Sequence, residues 1–198
     1  QERDWGSLPD PMRGPAEEAY TALAQTRDGQ LCDIILDRAA LDAVYAAGKA
    51  SRDELVRRYA ELTVAAADIK TAVRCARTGK PMDFIRRALA ECDSLSVSRL
   101  AKAAAEGLDS ICDLLSTTDY ADAVEVLRQS PSAFERWCDN LIIRYIRPQQ
   151  FQSFGIGPLA AYILGRENEI KSVRIILSGK LNQLSDQSIR ERVREMYV

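Results

Sequence analysis

Residues 158–180 read PLAAYILGRENEIKSVRIILSGK, and this stretch decides the fold. The stretch predicts a helix that Gly157-Pro158 begins and Gly179 ends, because proline suits the first helical position and glycine the left-handed residue beyond a helix. Its large apolar side chains recur at intervals of three and four residues, or their sum, which predicts one apolar stripe. The stripe comprises Leu159, Tyr162, Ile163, Ile170, Val173 and Leu177.

Charged residues cover the rest of this predicted helix. Glu167 and Lys171 stand four apart in the favourable order, a pair worth roughly 0.2 to 0.5 kcal/mol on a helix surface. Arg166 and Arg174 border the apolar stripe. They are therefore expected at the edge of a helix–helix contact, with the aliphatic part of each side chain covered by apolar neighbours. An arginine at such a contact pairs with a carboxylate of a neighbouring helix or, alternatively, binds phosphate. The first interpretation is favoured, because no glycine-rich loop at a helix N-terminus accompanies either Arg174 or Arg74.

The remainder of the chain is also predicted to be helical, without strands. Glycines and prolines in residues 1–15 predict a loop or linker, with Pro15 beginning the first helix. Phe151 and Phe154, in the loop before the quoted helix, are expected to insert into the core, and a binding patch is the alternative. Further helices are predicted over residues 16–48 with a break at 27–29, over 51–79, 82–90, 97–105, 108–115, 117–127 and 131–147, and over 186–196.

A shift of one hundred residues aligns the chain with itself near the ends of two helices. The repeat predicts an all-α protein of two similar helical lobes of about 100 residues, 16–116 and 117–198, after a linker at 1–15. The aligned positions are Tyr20 with Tyr120, Ala60 with Ala160, Val73-Arg74 with Val173-Arg174, and Thr78-Gly79-Lys80 with Ser178-Gly179-Lys180.

Composition points to a folded, helix-rich protein. The 198 residues are 46% hydrophobic and 28% charged, with a formal net charge of −2. The charge is uneven: residues 136–198 hold ten Lys or Arg against six Asp or Glu, a net +4 that leaves −6 for the rest. The basic end either faces an acidic protein partner or is simply a solvated helix surface. Nucleic-acid binding is not indicated, because no aromatic platform interleaves the basic residues. No apolar run reaches the ~20 residues of a membrane span.

Residues suited to chemistry are few. The five cysteines show no metal-binding or redox spacing and are expected to be small apolar core residues in a reducing compartment. There is no histidine, the usual general base. The acidic pairs Glu17-Glu18, Asp33 with Asp37, and Glu167 with Glu169 lack a converging third ligand. We therefore expect no catalytic, cofactor-binding or metal site. Lys80 and Lys180 are expected to complement the helix C-terminal dipole.

Two stretches carry a resemblance to a known family. The run GRENEIKSVRIILSGK at 165–180, followed by IRERVREMYV at the C-terminus, resembles the C-terminal signature of the V-type ATPase/ATP synthase C-subunit family, which includes relatives of the vacuolar ATPase d-subunit. The runs at 33–38, 67–74 and 117–120 are similar to the middle of that family. The matching positions singled out as signature or structural residues are Asp68, Lys70, Arg74, Glu167, Glu169, Lys171, Arg174 and Lys180.

The resemblance implies a fold and a function. Family members are longer chains of three similar helical lobes, so this chain is expected to supply the last two. It would be a non-catalytic rotor subunit on the cytoplasmic mouth of the membrane proteolipid ring. There it would receive the central stalk and pass torque in a complex that moves protons or sodium. The implied partners are the central-stalk subunits and the proteolipid ring, without a cofactor. A helical scaffold or ligand-binding regulatory domain is the alternative.

Overall fold

The computed structural model describes residues 5–198, and all regular structure in that range is helical. This confirms the all-α prediction, because the described residues contain no strand. Two short 3-10 helices, Trp5–Ser7 and Arg147–Phe151, accompany the α-helices. The α-helices are α1 Asp10–Thr26, α2 Gly29–Ala50, α3 Glu54–Thr78, α4 Met82–Ala88, α5 Val97–Glu106, α6 Leu108–Leu115, α7 Ala123–Gln129, α8 Pro131–Ile146, α9 Gly157–Leu181 and α10 Asp186–Arg190.

The helices belong to two compact units. Unit 1 contains the residues up to Ser51 together with Ala60–Leu114, and unit 2 contains Arg52–Tyr59 together with Leu115–Val198. The first turns of α3 therefore belong to unit 2, and the rest of that helix belongs to unit 1. The lobes predicted at 16–116 and 117–198, and their similarity to each other, stay a prediction.

The start of the chain is more helical than predicted. The expected loop over residues 1–15 was wrong from Asp10 onward, where α1 begins, and residues 1–4 lie outside the described part. Pro11 falls in the first turn of α1, where a missing N–H costs no intrahelical bond, so the helix can begin before Pro15. The predicted break at 27–29 is confirmed: Arg27 is left-handed, with φ 57°, and the Asp28 side chain caps α2.

The ends of α3 and α9 differ, although their sequences align. Gly79 ends α3 with φ 62°, and the N–H of Lys80 donates to the carbonyl of Cys75 at 3.1 Å, as predicted for a glycine cap. The same prediction for Gly179 was wrong. α9 continues to Leu181, and Gln183 adopts the left-handed conformation instead, with φ 56°.

Gly179 has a packing role instead. It is buried, and a Cβ placed on it would lie 2.6 Å from Cγ1 of Ile189. The absence of a side chain therefore lets α10 approach the last turns of α9. Lys180 consequently lies inside α9, and its ammonium pairs with Asp186 of α10.

The faces of α9 are the reverse of the prediction. Every member of the predicted apolar stripe is half or more exposed, from 50% for Ile163 to 60% for Leu159. Small and polar residues let α9 pack closely on its own unit, and they point away from the stripe. The buried residues are Gly157, Ala161, Gly165, Asn168, Ser172 and Gly179.

Two aromatic predictions were also wrong. Phe151 is 82% exposed and Phe154 is 92% exposed, so neither wedges into the core. The last helix is shorter than predicted, because α10 ends at Arg190 and the chain continues without helix to Val198. That non-helical segment is packed onto unit 2.

Each unit has its own apolar core. In unit 1 the core includes Ile69, Ile85, Leu89, Leu100 and Ile111, which are fully buried. In unit 2 a cluster forms where the start of α3, α8, α9 and the C-terminal segment meet. Its buried members are Leu55, Ile143, Ile146, Ala161 and Tyr197. None of the five cysteines forms a disulfide. Cys75, Cys112 and Cys138 are buried as predicted for small core residues, whereas Cys32 and Cys92 are only partly buried.

Candidate functional site

The residues after α10, which we call the C-terminal strap (191–198), are held by side chains from α8 and from the 3-10 helix Arg147–Phe151 that follows it. The guanidinium of Arg144 forms a salt bridge with Glu195, and this hydrogen bond lowers the pKa of the Glu195 carboxyl below its usual range. Arg147 donates to the carbonyl of Met196 at 2.8 Å. The side-chain oxygen of Asn140 accepts from the main-chain N–H of Glu195 at 2.8 Å. The strap is thus bonded through both main chain and side chains.

α9 holds the strap from the other side. The side-chain amide of Asn168, only 5% exposed, donates to the carbonyl of Glu195 at 2.7 Å. Gly165 lies directly under the ring of Tyr197, since a Cβ at Gly165 would be 2.8 Å from two ring carbons. The strap can lie this close to α9 only because residue 165 has no side chain.

A shared carboxylate joins α8, α9 and the strap. Asp139 of α8 accepts from Nε of Arg194 at 2.8 Å through one oxygen, and its other oxygen lies 3.2 Å from Nζ of Lys171. The two cations differ in burial: the side chain of Arg194 is 10% exposed and that of Lys171 is 55% exposed. The predicted pairing of Lys171 with Glu167 was wrong, because Asp139 draws the lysine across to α8.

The signature stretches therefore form one network. The run 165–171 on α9 and the run 194–197 on the strap lie far apart in sequence, and they pack against each other in unit 2. The network contains hydrogen bonds, ion pairs and an aromatic ring packed on a glycine, and these contacts together attach the strap to α8 and α9. None of the residues named in this network forms a nucleophile beside a general base.

The signature residues of unit 1 lie around a groove between α2, α3 and α4. The groove has a volume of about 610 Å³, and Lys70 and Arg74 line it together with Lys80. Asp33 and Asp37 line the same groove from α2, so its charges are mixed. Lys80 places its ammonium 4.8 Å from the centre of the Phe84 ring and bonds to the side chain of Gln30.

Asp68, beside the groove residues on α3, is buried. It is 1% exposed, and one carboxylate oxygen accepts from the N–H of Ala90 at 3.0 Å. Its other oxygen has no hydrogen-bond partner among the described residues. Burial raises the pKa of Asp68 to about 7, because the bond from Ala90 and the charge of Arg38 only partly offset the lost hydration. Asp68 therefore acts as a structural acid that bonds the start of the loop after α4.

The predicted arginine pairs are absent. Within residues 5–198, Arg74 and Arg174 form no ion pair, and both are exposed. Each lies beside a concavity of its own unit. Arg74 lines the unit 1 groove with Cys75 and Thr78, while the unit 2 concavity, of about 310 Å³, is lined by Arg174, Ile175, Ser178, Gly179, Leu184, Ile189 and Arg192.

The other acidic signature residues lie on α9, where Glu169 is partly buried and Glu167 is exposed. Glu169 pairs with Arg166 three residues earlier. Glu167 is exposed and forms no hydrogen bond or ion pair in the described part of the chain. Neither acid converges with a third ligand. Across residues 5–198, no group of three His, Cys, Asp or Glu side chains is arranged to hold a metal ion.

Several important residues were missed from the sequence. Asp139, Asn140 and Glu195 organise the strap, and Glu61 of unit 1 accepts from the main-chain N–H of Ser94 at 2.8 Å. Glu61 is 8% exposed, although it looks like an ordinary helix-surface acid in the sequence. Its only signal is that it interrupts an otherwise apolar run of α3. Contacts that span some fifty residues leave no local pattern to detect.

The described residues therefore form an all-α protein in which side-chain contacts attach a non-helical C-terminal segment to two of the helices. None of the described helices combines the length and apolar character that a bilayer crossing requires. The sequence model of the ATP synthase (C/AC39) subunit family matches residues 1–192. The chain belongs to that family.

Relatives agree with this assignment. The chain is 25% identical to the C-subunit of the V-type sodium ATPase of Enterococcus hirae, over 96% of its own length and 59% of the relative's. It is 26% identical to the C-subunit of the A-type ATP synthase of Halorubrum lacusprofundi, over 90% of its length and 53% of the relative's. A shorter match, 29% identical over 43% of this chain and 23% of the relative, is to the C-subunit of the A-type ATP synthase of Methanocaldococcus jannaschii. The chain thus spans less than two thirds of these relatives, and no solved structure matches it.

Proposed function

We propose that this chain is part of a non-catalytic rotor subunit that couples the central stalk of a V-type or A-type rotary ATPase to its membrane proteolipid ring. The observation that carries the proposal is the family match over residues 1–192, which contains the signature run at 165–180 and the first four residues of the C-terminal run at 189–198. Transmitting torque requires a body that does not deform under load. Close-packed interiors resist compression, and the strap network adds directional bonds to such an interior.

The location and chemistry follow from the same proposal. The subunit would lie at the cytoplasmic face of the membrane, held there by the proteolipid ring without a span of its own. It would contribute no catalytic group and bind no cofactor, while the complex moves protons or sodium ions. One relative is named as the C-subunit of a V-type sodium ATPase and another as the C-subunit of an A-type ATP synthase, so neither ATP hydrolysis nor ATP synthesis is favoured for this chain.

Binding to purified partners tests the proposal. The tagged chain would be mixed with the central stalk, and separately with the detergent-solubilised proteolipid ring, both from the same source organism. We expect it to retain at least one of them. Gly165→Leu, which displaces Tyr197 and the strap, should reduce retention, while Gly14→Ala, at a site with no neighbour within 4 Å, should not. Failure of the folded chain to retain either partner would contradict the proposal.

A second candidate function is a ligand-binding regulatory domain, favoured by the groove of about 610 Å³ in unit 1. The three cations Lys70, Arg74 and Lys80 outnumber the two acids of the groove, Asp33 and Asp37, by one charge, which would favour an anionic ligand there. Titration with inorganic phosphate and citrate, followed by the melting temperature, tests this candidate. A rise that Arg74→Ala removes would support it, and an unchanged melting temperature would count against it.

A further inference from the structure

The concavity of unit 2 is lined by two arginines and by no acid. It has a volume of about 310 Å³ and lies where the last turns of α9 meet α10 and the strap. Arg174 comes from α9 and Arg192 from the strap, so the two cations reach the concavity from different parts of the chain. The apolar residues that line it are Ile175, Leu184 and Ile189.

Both arginines lack an acidic partner. Within residues 5–198, neither guanidinium forms a salt bridge or a side-chain hydrogen bond, and both side chains are exposed. The acids that follow in the sequence are engaged elsewhere: Asp186 pairs with Lys180, and Glu191 accepts from the side chain of Gln187 at 2.8 Å. Two unpaired cations that line one concavity repel each other, and an anion bound between them would remove this repulsion.

The arginine that aligns with Arg174 in the sequence has different surroundings. Arg74 lines the unit 1 groove together with Asp33 and Asp37, so the lining of that groove is mixed in charge. The concavity of unit 2 has no acid to offset its arginines. It belongs to the basic end of the chain, residues 136–198, whose net charge is +4. An acidic partner therefore fits unit 2 better than unit 1.

The lining of the concavity favours a protein carboxylate over free phosphate. The concavity lies at the C-terminal turns of α9, where the negative end of the helix dipole disfavours a doubly charged anion. Its volume equals that of about ten water molecules, which is more than one anionic group fills. An acidic side chain with an apolar neighbour meets both requirements. The carboxylate accepts hydrogen bonds from the forked guanidinium groups, and the neighbour covers the apolar lining.

We propose that Arg174 and Arg192 bind a carboxylate of an acidic segment of the central stalk, and that an apolar side chain beside this carboxylate fills the concavity. The inference rests on the proposed function, which names the stalk and the ring as partners. The stalk is preferred because it is exposed to water, whereas charged side chains are rare in a ring embedded in the membrane.

The affinity of the chain for the purified central stalk tests this inference. Biolayer interferometry with the immobilised chain measures the Kd for the stalk of the same source organism. We expect Arg174→Glu and Arg192→Glu each to raise this Kd about tenfold or more, because the reversed charge repels the carboxylate. Arg99→Glu, an exposed change on α5, alters the net charge equally and should change the Kd less than about twofold. Unchanged melting temperatures would show that the variants remain folded.

Carbodiimide cross-linking identifies the group that the arginines contact. Arg174→Lys keeps the positive charge and supplies an amine, which forms an amide with a carbodiimide-activated carboxylate of the stalk. We expect a product joined to the stalk at position 174 in this variant, and no product joined at position 99 in Arg99→Lys. Mass spectrometry of the digested product locates the acid on the stalk.

Three results would overturn the inference. The first is a Kd for the stalk that neither charge reversal raises more than Arg99→Glu does. The second is a chain that retains the ring but not the stalk. The third is a cross-link at position 174 no more frequent than at position 99. Each of these leaves the rotor proposal standing, whereas a folded chain that retains neither partner contradicts the rotor proposal and this inference with it.

Discussion

The side-chain amide of Asn168 reaches from α9 to the main-chain carbonyl of Glu195 and bonds it at 2.7 Å. This contact joins the two stretches that carry the family resemblance. Because Asn168 is buried and the strap has no helix or sheet of its own, the bond replaces a main-chain partner that regular structure would have supplied. The strap is therefore held by side chains, and single substitutions should release it.

Replacing Asn168 by alanine should lower the free energy of unfolding by about 1 to 2 kcal/mol, because the carbonyl of Glu195 is left unpaired. The cost falls in the lower half of the usual range, since the amide oxygen of Asn168 already lacks a partner among the described residues. Urea unfolding followed by circular dichroism measures the change. Gln129→Ala, at the exposed end of α7 in the same unit, is the control and should change stability by less than about 0.5 kcal/mol. If both variants lowered the free energy of unfolding by the same amount, the hydrogen bond from Asn168 to Glu195 would not stabilise the fold.

Gly165→Ala should destabilise unit 2 by roughly 1 to 3 kcal/mol, because its Cβ would collide with the ring of Tyr197. Gly14→Ala places the same group in open space on α1, where alanine is the better helix former, and should be neutral or slightly stabilising. Melting temperatures of the two variants compare them directly. If Tyr197→Ala removes the difference between glycine and alanine at position 165, the collision is its cause.

The two cations on Asp139 should contribute unequally. Arg194→Met should cost roughly 1 to 3 kcal/mol, because it leaves a largely buried carboxylate without its closest donor. Lys171→Met should cost less than about 1 kcal/mol, because its ammonium is solvated and the pair is screened. Denaturant unfolding at low and at high salt measures both. A larger loss for Lys171 than for Arg194 would contradict this order.

The free energy of unfolding should depend on pH because burial raises the pKa of Asp68 in the folded chain. Its pKa is about 7 in the folded chain and near its usual lower value when unfolded, so the folded state binds more protons between these values. The contribution of Asp68 to stability should therefore fall as pH rises from about 4 to about 7, by roughly 2 to 4 kcal/mol, and level off above that. The neighbouring charges are Asp42, Arg38 and Glu91.

Asp68→Asn isolates this effect. The variant keeps an acceptor for the N–H of Ala90 and removes the titration, so it should gain stability relative to the unchanged chain at about pH 8 and differ little at about pH 5. Urea midpoints of both proteins across this range provide the comparison. A parallel pH dependence in the two proteins would show that Asp68 ionises without cost.

Local features of the sequence predicted the elements well. The break at 27–29, the Gly79 cap, the start of α9 at Gly157-Pro158 and the bounds of α6 all depend on short-range backbone preferences, which neighbouring residues determine. Predictions failed where a distant group decided the outcome. A glycine such as Gly179 often ends a helix, but here α9 continues past it. The side chain of Ile189 fills the space that a Cβ of residue 179 would occupy.

The helix that contains residues 158–180 shows this division most clearly. Its existence, its start and its apolar periodicity are determined by the sequence alone, because a 3.6-residue helix imposes them on any chain with this pattern. Which face is buried was decided only by tertiary structure. The strap and α10 lie so close to α9 that only small residues fit beneath them. The small residues of α9 are therefore buried, and its large apolar residues are exposed. Periodicity identifies the faces of a helix, but only the steric fit of its neighbours decides which face they cover.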